Sequence, residues 1–143
     1  MVTNADITLY NAYQDNDYIR YKRTYIYGVN WQDKQAVSVD SKGLNSADTL
    51  NIYISFSATV SDGKKYISPK AFERLTNLEK DNYFTFKADD KVVRGIIDFE
   101  VTGEKPNTIA TLEHSYDDVL NIISIIPCNN GSLSMRHWEV GGE

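Results

Sequence analysis

Alternation with a period of two constrains this chain more than any other feature. From Tyr18 to Val29 it reads Tyr-Ile-Arg-Tyr-Lys-Arg-Thr-Tyr-Ile-Tyr-Gly-Val. Successive side chains of a strand point to opposite faces. The spacing therefore predicts Ile19, Tyr21, Tyr25, Tyr27 and Val29 on one face and Arg20, Lys22 and Thr24 on the other, with Arg23 breaking the apolar face near an edge. The pattern recurs in Leu50, Ile52, Ile54 and Phe56. It recurs again over residues 91–102, where Val93, Ile97, Phe99 and Val101 face in while Arg94, Asp98 and Glu100 face out. Gly95 falls on the inward face of that stretch and predicts a bend or bulge.

Shorter strands are expected over residues 5–11 and 83–86. Val119–Ile126 is apolar on both faces and predicts a central strand. Asn129-Asn-Gly-Ser132 suits a hairpin turn, because Asn-Gly tolerates positive φ. It leads into a terminal strand, Leu133–Val140, with Trp138 and Val140 on one face, so the chain is expected to end inside its fold. Gln14–Asp17, Asp40–Gly43, Ser61–Lys64 and Asp89-Asp90 are turn or breaker clusters.

One helix is signalled. Ser68 is the N-cap, Pro69 suits the first helical position, and Phe72 and Leu75 form a stripe that ends near Leu78. Gly103–Ser115 reads as a polar connection. The sum is a mainly β chain, a small barrel or sandwich of about seven to eight strands with one short α-helix, in one domain over residues 1–143. Ten tyrosines favour the same class.

Catalytic chemistry is not signalled, and no enzyme is expected. There is no nucleophile elbow, zinc-protease helix or phosphate-cradling glycine loop. Asp89-Asp90 and Asp117-Asp118 are sequence neighbours whose side chains diverge in extended backbone. No calcium-loop spacing is present, so no metal and no cofactor are expected. His114 falls in a polar loop, and His137 beside Trp138 reads as a structural imidazole. A single cysteine, Cys128, excludes an internal disulfide and a multi-cysteine zinc site, and the apolar run before it predicts a buried, inert thiol.

The basic strip Arg20, Lys22 and Arg23 lies beside Tyr18, Tyr21 and Tyr25. It is read as cross-strand charge and aromatic pairing rather than base stacking. The net charge of −5 argues against a phosphate-binding surface. No apolar run approaches the ~20 residues of a membrane span, and no basic or apolar leader opens the chain, so no membrane partner is expected.

Several segments carry a resemblance. They are Thr3–Asn11, Gly28-Val-Asn-Trp-Gln32, Ser68-Pro-Lys-Ala-Phe72, Phe84–Gly95, Tyr116-Asp-Asp-Val-Leu120 and the closing Gly131–Glu143. In this order the chain resembles small tailed-bacteriophage proteins of the head and neck: minor capsid, head-completion or head–tail joining proteins. The resemblance implies a structural subunit of a homo-oligomeric neck ring, assembled in the bacterial cytoplasm and carried in the virion. Its implied partners are portal or adaptor and tail-completion proteins. Double-stranded DNA would pass without sequence-specific contacts, and the ring would close the channel until ejection.

Within that role, Gln32–Asp48 is the expected channel or interface loop, since it is the longest polar interruption between strands. Its charged residues are Asp33, Lys34, Asp40, Lys42 and Asp48, and Glu104–Ser115 is the second candidate. Trp31 and Trp138 are expected as structural anchors. The alternative is a non-catalytic β-sandwich binding module for carbohydrate or a host factor.

Overall fold

The computed structural model describes residues 2–32, 39–40, 43–44 and 50–143. In chain order the strands are β1 (Ala5–Asp15), β2 (Tyr18–Gln32), β3 (Val39–Asp40), β4 (Gly43–Leu44), β5 (Leu50–Ser55) and β6 (Thr59–Val60). They continue with β7 (Lys65–Tyr66), β8 (Tyr83–Phe84), β9 (Lys91–Arg94), β10 (Val119–Cys128) and β11 (His137–Gly142). The α-helices are α1 (Pro69–Arg74) and α2 (Ile109–Ser115).

Six strands pair antiparallel in the order β1-β9-β10-β11-β5-β2, and β1 pairs again with β2. The ladder thus closes into a small barrel. Closure satisfies backbone groups that an open sheet would leave at its edges. β6 adds to β2 at Ile26 and Tyr27, while β3–β4 and β7–β8 form separate pairs.

The interior is built as alternation dictates. Ile7 and Leu9 of β1, Ile26, Val29 and Trp31 of β2, Ile52 and Ile54 of β5, Val92, Leu120, Ile122, Trp138 and Val140 are buried in one cluster. Phe84 and Phe86 join it, and Trp138 packs with Phe56, Tyr66 and Phe86 at ring-centroid distances of 4.4, 4.7 and 5.2 Å.

The parity expected for β2 does not hold along its whole length. Thr24 and Ile26 point inward, whereas Tyr27 is exposed. A register shift between Ala5 and Ile7, with Gly28 at φ +77°, inserts a bulge. One extra residue flips every later side chain to the other face. Val29 and Trp31 therefore turn inward beyond it, and Tyr25 and Tyr27 stay outside.

A second layer covers part of the outer wall. β9 ends at Arg94 and does not run on to residue 102, because Gly95 at φ +99° turns the chain. The segment 96–101 then runs as a strap across the outside of β1 and β2. Tyr10 Oη donates to the Phe99 carbonyl at 2.7 Å, Tyr25 Oη to that of Ile97 at 2.6 Å, and Tyr21 N to that of Val101 at 3.2 Å. Val93, Ile97, Phe99 and Val101 do share one cluster, as their spacing predicts, but they pack it with Tyr10, Tyr21 and Leu112 on the outside of the barrel.

α1 starts as expected: Ser68 Oγ accepts from Ala71 N, Pro69 opens the helix and Phe72 is buried. It stops at Arg74 rather than near Leu78, which is exposed. α2 replaces the expected polar connection. Thr108 Oγ1 accepts from Thr111 N, and Leu112 is fully buried beneath the strap. β10 is not buried on both faces throughout: Leu120 and Ile122 are buried, but Ile123 and Ile126 are exposed on the outside.

Candidate functional site

The expected channel loop leaves the barrel between neighbouring strands. At its base Trp31 pairs with Ile52, Gln32 with Asn51, and Leu50 with Gly142. Asp33, Lys34, Lys42 and Asp48 lie outside the described residues, and Asp40 is placed as backbone in β3, opposite Gly43. The two tryptophans named as anchors are both buried, Trp31 at 3% and Trp138 at 6% exposure. The second candidate, Glu104–Ser115, belongs largely to α2 and its covering layer.

The basic strip is internally balanced. Arg20 Nε lies 2.9 Å from Asp15, Lys22 Nζ 2.7 Å from Asp81 and Arg23 3.8 Å from Glu100. Lys22 also sits over the Tyr13 ring and Arg23 over the Tyr25 ring, at 4.8 and 5.3 Å. Arg20–Asp15 and Lys22–Tyr13 join β2 to β1, as expected from the sequence; Arg23 stacks on Tyr25 of its own strand, and Asp81 and Glu100 come from outside the β1–β2 pair.

Between the end of the β1–β2 hairpin and α1 lies an open groove of about 510 Å³, lined in part by Tyr13, Ile19, Phe72, Leu75, Lys80 and Lys87. Its two ammonium groups are engaged: Lys80 Nζ donates to the Leu75 carbonyl at 2.7 Å and Lys87 Nζ to that of Ala12 at 2.6 Å. Burial lowers the Lys80 pKa.

Below the groove, Asp90 is fully buried. Its carboxylate accepts from Asn11 Nδ2 at 2.8 Å and Ala12 N at 3.0 Å, and Lys87 Nζ lies at 3.9 Å. Asn11 also donates to the Thr85 carbonyl at 2.7 Å. Desolvation pushes the Asp90 pKa up to about 6 against these hydrogen bonds. The network ties β1 to the segment after β8; it is a buried clamp and not a site open to substrate.

The remaining chemistry-bearing group is on the outer wall. Cys128 of β10 pairs directly with His137 of β11, and Glu139 follows two residues later on the same face. Their ligand atoms lie within 4.8 Å of one another. Cys128 is half-buried, not enclosed as its apolar neighbours predict, because the outer side of β10 is open here. Partial burial and the adjacent Glu139 raise its thiol pKa, which disfavours a free nucleophilic thiolate. Among the described residues this is the group whose donors could hold a metal ion.

The family model for DUF6751, a family of unknown function, matches residues 2–143. The chain belongs to this family. No curated protein and no solved structure matches it.

Two features of this family member escape sequence reading. α2 had signals, Thr108 as cap and Ile109 and Leu112 three apart, but its neighbours are polar. The expected Asn-Gly turn straight into a strand from Leu133 does not form; residues 129–136 connect β10 to β11, which begins at His137, so the Cys128–His137 juxtaposition depends on the register of that longer connection. The 3₁₀ turn Leu133–Met135 sets that register by delaying β11 to His137.

Proposed function

We propose that the chain is a structural subunit of a tailed-phage neck, a head-completion or head–tail connector protein working in a homo-oligomeric ring between portal or adaptor and tail. The working part is the polar connection from Gln32 to Asp48. One observation carries this choice: the connection leaves and re-enters the barrel through strands that pair with each other at its base, Gln32 with Asn51. Such a segment can meet a neighbour, or line a channel, without disturbing the core that supports it. Joining subunits in a closed ring need heterologous contacts. A mixed-charge segment, with Asp33, Asp40 and Asp48 against Lys34 and Lys42, supplies complementary partners. The net charge of −5 suits a conduit that must not hold passing DNA.

The test is genetic. In the phage or prophage that encodes the chain, the gene is deleted and complemented with protein in which residues 36–45 are a short Gly-Ser linker. The expected result is a folded protein that fails to restore filled, tailed particles. Normal infectious yields from that variant would remove the loop from the mechanism. Normal yields from the deletion alone would remove the neck role.

A further inference from the structure

We propose that Cys128, His137 and Glu139 form a Zn²⁺ site on the outer wall of the barrel, with three protein ligands and a fourth position open to solvent. The proposal does not depend on the neck assignment. The three ligands sit on two paired strands, so the hydrogen-bonded ladder fixes their spacing: Cys128 faces His137 across it, and Glu139 follows at the next outward position. Sγ, imidazole nitrogen and carboxylate oxygen lie within 4.8 Å of each other, and His137 Nε2 is 3.5 Å from Glu139 Oε1. Tetrahedral zinc, with bonds of about 2.0–2.3 Å, sets its ligand atoms about 3.3–3.6 Å apart. With the imidazole held in place, rotation of the Cys128 and Glu139 side chains would close the difference.

The imidazole is already oriented for such a role. His137 Nδ1 is 2.8 Å from the Met135 carbonyl. Donation there places the proton on Nδ1 and leaves the Nε2 lone pair facing Glu139. Metal-bound histidines are held by this kind of outer contact. The Tyr53 ring packs edge-on against the imidazole at 5.8 Å and limits its rotation.

The ligand set selects the metal. A thiolate and an imidazole with one carboxylate suit zinc, whereas magnesium and calcium require oxygen ligands. Thiolate and carboxylate together balance the divalent charge. Three protein ligands with an open position are the pattern of zinc sites that bind water or an incoming group.

Full-length, metal-free protein titrated with ZnCl₂ by calorimetry should bind one ion per chain. Titrated with CoCl₂, it should develop the visible bands of four-coordinate cobalt together with a thiolate-to-cobalt charge-transfer band. Cys128→Ser should abolish the charge-transfer band. His137→Gln and Glu139→Gln should each weaken zinc binding at least about tenfold, since outer-contact losses alone cost 10–100-fold. His114→Gln should leave binding unchanged. The parent cobalt spectrum reports the thiolate even if a variant folds poorly. No saturable uptake, a cobalt complex without the thiolate band, or loss of binding in His114→Gln would overturn the site.

Discussion

Asp90→Asn tests how the buried clamp is built. The Asp90 side chain is sealed from solvent, and burial is the largest influence on it, pushing its pKa up to about 6 from an ordinary 3.8. The hydrogen bonds from Ala12 N and Asn11, and the Lys87 charge, pull the other way without prevailing. Between pH 3.8 and about 6 the folded chain binds this proton while the unfolded chain has released it. Stability from this group is therefore fully present below 3.8 and is lost as pH rises through about 6. The full swing corresponds to about 3 kcal/mol. Urea unfolding of parent and Asp90→Asn at steps from about pH 8 to about pH 4 isolates it, because other carboxylates titrate alike in both proteins. The parent should gain on the variant by about 2–3 kcal/mol on acidification. A difference that stays flat over that range, or runs the opposite way, would refute a desolvated, charge-destabilised Asp90.

Trp138→Ala should cost about 3–5 kcal/mol, read by chemical denaturation, since it empties the centre of the Phe56, Tyr66 and Phe86 cluster. Gly142→Val should destabilise markedly or block soluble expression, because even a Cβ there meets the Asn121 carbonyl oxygen at 3.1 Å and Leu120 Cβ at 3.2 Å. Tyr10→Phe should cost about 1 kcal/mol by losing its bond to the Phe99 carbonyl, and should speed proteolysis within residues 96–116.

Strand existence was legible in the sequence because half-buried strands write their burial as alternation. Leu50–Ile54 and the Trp138–Val140 pair carry it plainly, and Ser68-Pro69 carried the start of α1 equally well. Parity was not legible across Gly28, since a bulge exchanges faces without changing composition. Residues 96–101 show the converse limit. Their alternation correctly grouped Ile97, Phe99 and Val101, but a strap bound to tyrosine hydroxyls has the same period as a strand in a ladder. Asp89-Asp90 read as a turn, and it is one, yet nothing local marks Asp90 as buried; its partners Asn11 and Ala12 are distant in sequence. Cys128, His137 and Glu139 are likewise gathered by register, which short-range pattern does not encode.

The proposed neck role is tested most directly by cryo-electron microscopy of phage particles purified after induction of the strain that carries the gene. The expected map holds a ring of copies of the six-stranded barrel between portal and tail. The segment from Gln32 to Asp48 should meet the neighbouring subunit or the channel. A neck fully built from other chains, with this barrel absent from the particle or located away from the portal, would contradict it.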